Sequence, residues 1–183
     1  MKRLNIASLD KRHINHVTVQ EYGKKKGIDG VQIATLNIMS ASDGYFLELG
    51  RLNEEGILKD FPDFKVRQIS FSVVEAGGIK GWHIHYNQED LWFIPPESLV
   101  LIGLHDLRKD SQTIGVEMKF PLGNHKAQLL LIPRGVAHGV ANISTRPATM
   151  VYLLNQQFDL NDPDERRLPV DVFGKDFWEM PKG

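Results

Sequence analysis

The stretch Gly77-Gly78-Ile79-Lys80-Gly81-Trp82-His83-Ile84-His85-Tyr86-Asn87-Gln88-Glu89-Asp90 decides how this chain is read. Its glycines interrupt an apolar alternation, and Trp82 to Tyr86 then resumes as a strand. His83 and His85, two positions apart, therefore share one face. A later segment, Pro133-Arg134-Gly135-Val136-Ala137-His138-Gly139-Val140-Ala141-Asn142, supplies a third histidine. Three imidazoles and the carboxylates of Glu89 and Asp90 meet only in a fold that lays these two segments side by side.

The flanking sequence describes that fold. Val31 to Met39, Tyr45 to Leu49, Val66 to Val74, Asp90 to Ile94 and Leu99 to Leu107 read as short strands, with turns at Ser42-Asp43-Gly44 and Pro95-Pro96-Glu97-Ser98. Val116 to Phe120, Ala127 to Ile132, Gly139 to Ile143 and Thr149 to Leu154 extend the series. About ten strands with almost no helical periodicity predict an all-β sandwich or barrel, and a double-sheet jelly roll hides most of the edges. Asn53 to Asp63 reads as a loop with one helical turn. The acidic run Asp162-Pro163-Asp164-Glu165 predicts a short helical segment before Pro169. Residues 1–30, with Lys24-Lys25-Lys26-Gly27, read as a solvated arm, and 31–183 as a single domain.

Bulk composition narrows the function. The 183 residues suffice for one self-sufficient core. Twenty-two basic and twenty-three acidic residues nearly cancel, so no nucleic-acid footprint is expected. There is no cysteine, which removes disulfides, thiolate nucleophiles and thiolate metal sites. No apolar run reaches membrane length or signal-peptide character, so the expected location is cytoplasmic with no membrane partner.

At the two central segments the chain resembles the dTDP-4-dehydrorhamnose 3,5-epimerase family of the cupin superfamily, over about Val31 to Trp178. Gln68, Ser72, Gly77, Lys80, Gly81 and His83 fall on the family's positions around its active-site histidine without a gap. Pro133 to Gly139 is similar to its Pro-x-Gly-x-Ala-His-Gly, and Met150-Val151-Tyr152 occupies the place of its active-site tyrosine. Asp171, seven residues before Trp178, stands where the family aspartate pairs with the catalytic histidine. The resemblance implies a jelly-roll isomerase, a homodimer sharing strands across its interface, that moves a proton beside the keto group of a nucleotide-linked 4-keto sugar. His83 would be the base, Asp171 its orienter and Tyr152 the acid. Phe46, Glu48, Gln68, Ser70, Lys80, Asp90 and His138 would contact the substrate, and no cofactor is needed. Three family positions differ, one of them the tyrosine usually found a few residues after the Tyr152 position, which falls among Gln156, Gln157 and Phe158. The family's Arg-Gly-x-Phe appears as Asp43-Gly44-Tyr45-Phe46, and its enolate-steadying lysine falls on Asp90 or Leu91.

The same residues fit a cupin metal pattern in which His83, His85, Glu89 and His138 hold one divalent transition metal, Fe, Mn, Ni or Zn. On that alternative the chain is a metal-dependent isomerase or dioxygenase, with Asp90 able to replace Glu89 and the ion replacing the missing lysine. A further alternative is a sugar-binding barrel without catalysis. Trp82, Trp92, Phe93, Tyr86 and Tyr45 read as core aromatics, and Trp178 as the plug of one barrel mouth.

Overall fold

The computed structural model describes residues 4–19, 23 and 26–180, so Lys24 and Lys25 of the basic run lie outside the described residues. Among the described residues, two single turns of 3-10 helix, Ile6–Ser8 and Ile14–His16, precede fourteen strands. These are β1 (Gln32–Thr35), β2 (Ile38–Ala41), β3 (Gly44–Leu47), β4 (Ile57–Leu58), β5 (Phe61–Lys65), β6 (Gln68–Val74) and β7 (Ile79–Ile84). They continue with β8 (Asp90–Ile94), β9 (Leu99–Asp106), β10 (Glu117–Gly123), β11 (Gln128–Ile132), β12 (Val136–Asn142), β13 (Ala148–Leu154) and β14 (Arg166–Arg167).

Two five-stranded antiparallel sheets, β1-β11-β8-β13-β6 and β10-β9-β12-β7-β14, form the expected jelly roll, and β2-β3 and β4-β5 are separate hairpins. Inward-facing Trp92, Ile94, Leu130, Ile132 and Met150 of the first sheet pack with Val100, Ile102, Leu104, Val136 and Val140 of the second. A second cluster lies on the back of the first sheet, where Leu58, Phe61 and Phe64 of β4-β5 cover Leu91, Phe93, Leu129 and Leu153. This explains why β8 is buried along its whole length and reads as a continuous apolar run rather than an alternating one. Packing begins before residue 31: Ile28 is buried in the first cluster, and the Asp29 N–H donates to Thr113.

The back of the second sheet is covered by the C-terminal segment. Trp82 is buried there with Phe173, Phe177 and Trp178. Gly103 and Gly139, paired across β9 and β12, admit these rings: a Cβ on Gly103 would meet Phe177 at 2.5 Å and Trp82 at 2.7 Å. Trp178 therefore caps the outside of a sheet instead of plugging a barrel mouth. Of the other aromatics, Trp92 and Phe93 are core, whereas Tyr45 and Tyr86 are exposed.

Two further expectations are corrected. Asn53 to Asp63 carries β4, the turn at Lys59-Asp60 and the start of β5, and holds no helical turn. No helix forms at Asp162 to Glu165, because the Asp164 carboxylate accepts the backbone N–H groups of Tyr86, Asn87 and Gln88 at 3.0, 2.7 and 2.7 Å. A side chain spent on a distant turn cannot cap a local helix. Among the described residues no helix is long and apolar enough to cross a membrane.

Candidate active site

Strand alternation places His83 of β7 and Tyr152 of β13 on facing inner surfaces, and both line one cavity of about 550 Å³. Ser70, Lys80, His85, Gln88, Asp90, Trp92, Glu165 and Arg167 line it as well. A second hollow of about 460 Å³ shares Ser70, His85, Gln88 and Glu165 and extends to Gln68, Gln156, Gln157 and Phe158. Such volumes suit a small molecule with a polar appendage.

Burial lowers the pKa of His83, while neighbouring Glu165 pulls it up, so the free base prevails at neutral pH. Burial raises that of Tyr152, which keeps its proton. Its ring meets Trp92 edge-on at 5.8 Å, which fixes the direction of the phenol. Lys80 donates to Ser72 on the cavity wall, and Arg167 is paired with Glu165 at 2.7 Å.

Below His83 lies a cluster of His85, Asp90 and His138, all buried. His85 Nε2 is 3.7 Å from one Asp90 oxygen and His138 Nε2 is 3.8 Å from the other. Asp90 also accepts from Gln88 Nε2 at 2.8 Å and Trp92 Nε1 at 2.9 Å. Burial pushes the His138 imidazole down to about 4, so it is neutral in use.

Several expected residues lie elsewhere. Asp171 sits on an exposed turn outside the cavity wall, and the carboxylate facing His83 is that of Glu165, at 3.9 Å from Nε2. Beyond hydrogen-bond reach, Glu165 acts on the ring through space. Glu89 turns away to Asn155, whose side chain accepts its backbone N–H at 2.8 Å, so His83, His85, Glu89 and His138 do not assemble as one ligand set. Phe46 is exposed on the β2-β3 hairpin and Glu48 pairs with Arg51, both away from this cavity. Ser70, Lys80 and Asp90 line it, Gln68 lines the adjoining hollow, and His138 is buried behind Asp90. Glu165 and Gln88 were missed: each reaches the site through a turn whose path sequence periodicity does not encode.

The model of dTDP-4-dehydrorhamnose 3,5-epimerase matches residues 25–171. The chain belongs to that family of sugar epimerases. It is 39% identical over 144 residues to the spore coat polysaccharide biosynthesis protein SpsL of Bacillus subtilis, covering 79% of this chain and 91% of that protein. To the probable low-salt glycan biosynthesis epimerase Agl13 of Haloferax volcanii it is 27% identical over 146 residues, covering 79% and 89%. Among solved structures, a dTDP sugar isomerase from Desulfovibrio desulfuricans superposes with a TM-score of 0.69 at 26% identity, covering 84% of this chain and 90% of that one. The chain is thus a family isomerase acting in carbohydrate biosynthesis, and the metal-dependent dioxygenase class finds no support.

Proposed function

We propose that this enzyme epimerises a nucleotide-linked 4-keto sugar at a carbon beside the ketone, with His83 as base and Tyr152 as acid. The observation that carries this is their placement on opposite sheets across one cavity, where they can reach the two faces of a single sugar ring. His83 takes the proton, the C–H electron pair forms the C=C bond of an enolate, and the carbonyl π pair moves to oxygen. Tyr152 then protonates the same carbon from the other side, and solvent resets both groups. Glu165 steadies the imidazolium in place of Asp171. Gln68, Ser70 and Gln88 offer hydrogen bonds to hydroxyls, while Lys80 and Arg167 supply positive charge for the diphosphate.

The test is incubation with dTDP-4-keto-6-deoxyglucose in deuterium oxide, read by mass spectrometry and NMR. Deuterium at a carbon flanking C4 is expected, and its absence at saturating substrate sinks the reading. Tyr152→Phe should separate the two steps: exchange through His83 persists while formation of the epimer falls by roughly 10²-fold. Equal loss of both would remove Tyr152 from the acid role.

The homodimer is part of the same reading. Strand β6 reverses the usual polarity: Gln68, Ser70 and Ser72 face inward, and Ile69 and Phe71, 65% and 66% exposed, face outward with Val73. β6 is also the last strand of its sheet, so it has a free edge among the described residues. A second copy of the chain seated on this row would cover it, and exposed Phe46 and Met39 of the β2-β3 hairpin extend the apolar surface. Light scattering should give twice the chain mass for the protein and one chain mass for Phe71→Asp. A monomeric parent protein, or an unaltered dimer in the variant, overturns the assignment.

A further inference from the structure

We propose that His85, Asp90 and His138 form a binding site for one divalent first-row transition ion, Zn, Mn, Ni or ferrous Fe, on the floor of the cavity. One atom from each residue lies within 4.8 Å of the other two, and all three side chains are buried. A bound ion at about 2.0–2.2 Å from each ligand holds its ligand atoms about 3–3.5 Å apart. The observed 3.7 and 3.8 Å approaches of the imidazoles to Asp90 are within a small rotation of that.

The hydrogen-bond pattern supports the assignment independently. His138 Nδ1 lies 3.0 Å from the Val136 carbonyl, an atom that can only accept, so the ring proton is on Nδ1. Its Nε2 then carries a lone pair, is completely buried, and has no hydrogen-bond partner among the described residues. His85 repeats the arrangement: Nδ1 is 2.5 Å from the Asp164 carbonyl, and Nε2 faces the Gln88 amide nitrogen at 3.3 Å. Two imidazoles with Nδ1–H tied to main-chain carbonyls and Nε2 turned to one carboxylate are oriented as metal ligands are. Without a cation, the buried His138 lone pair faces the lone pairs of Asp90, which is repulsive. Two histidines and one carboxylate leave further positions on the ion open, and His85 and Asp90 line the cavity from which they would be filled.

The role of the ion, though not its binding, rests on the proton-transfer reading. A cation beside His83 would accept the enolate oxygen, restoring the charge lost where Asp90 or Leu91 stands in place of the family lysine.

The experiment is metal analysis of untagged, full-length protein prepared without chelator, followed by equilibrium dialysis of the stripped protein against each of the four ions. About one ion per chain is expected. Asp90→Asn and His138→Gln should each weaken binding at least about tenfold. Glu89→Gln, outside the cluster, should bind as the parent does. Far-ultraviolet circular dichroism checks that each variant is folded, and the visible spectrum of the cobalt-loaded parent gives a second reading of His and carboxylate ligation. No stoichiometric uptake of any ion overturns the site, as does uptake that ignores Asp90 and His138. The two proposals separate cleanly: exchange without metal removes this site alone, and metal without exchange removes the proton-transfer reading alone.

Discussion

Replacing His83 by alanine should slow solvent-deuterium exchange into the keto sugar by about 10²–10⁴-fold, the range general-base removal produces. Binding of the same sugar nucleotide, measured by calorimetry, should change by no more than a few-fold. The separation is expected because the His83 ring makes no hydrogen bond among the described residues and is only partly buried, so its loss leaves the walls standing. Tyr152, Lys80 and Arg167 lie on other positions and keep the ligand in place. Added imidazole should restore part of the exchange by entering the vacated volume. Undiminished exchange in the variant would transfer the base role to another residue, with His85 the next imidazole on that face.

The second large effect is on stability. Asp106 is wholly buried at the end of β9, where its carboxylate receives the backbone N–H, Nε and Nη2 of Arg108 and the hydroxyls of Ser111 and Thr113. Arg108 also donates to the Asp29 carbonyl, so one carboxylate secures the 106–113 turn and the entry to β1. Asp106→Asn leaves the guanidinium facing an amide and should cost about 3 kcal/mol. For a chain of this size that is a fall in Tm of roughly 6–12 °C. Burial alone would raise the Asp106 carboxyl, but the Arg108, Ser111 and Thr113 hydrogen bonds hold it far below its ordinary 3.8. Its folded-state pKa being depressed, its contribution is complete above that ordinary value and is lost as pH falls below it. The gap between parent and variant in denaturant titrations should therefore be flat from pH 7 to about 5 and close below about 4. A gap that persists unchanged at pH 2 would show that packing rather than charge is responsible.

Much of the fold was legible because its signals are local. Gly77-Gly78 and Pro95-Pro96 punctuate the strands, and the period of two brought His83 and His85 to one face before any tertiary information was used. What escaped depends on docking. Glu89 and Asp90 differ by one position, yet Asp90 is the first residue of β8 and faces the cavity while Glu89 precedes the strand and meets Asn155. Alternation in β6 gave a period but not a direction, and its apolar side turned out to be the exposed one. The choice of Glu165 over Asp171 depends on Arg166 and Arg167 pairing with Ile84 and His83 along β7, a contact across some eighty residues of chain. Phe46 on the β2-β3 hairpin and Glu48 just beyond it lie away from the His83–Tyr152 cavity, a placement set by docking rather than by strand alternation.

The segment from Asp164 to Trp178 cradles the turn after His85, sets Glu165 beside His83, and seals the back of Trp82 and the glycine pair. During synthesis this segment, which carries β14, emerges after strands β1 to β13. The barrel can close before its chemistry is in place, and the nascent chain stays without a finished site until that late stretch docks. Translation order thus separates the two halves of the site, with His83 made some eighty residues before the carboxylate that faces it.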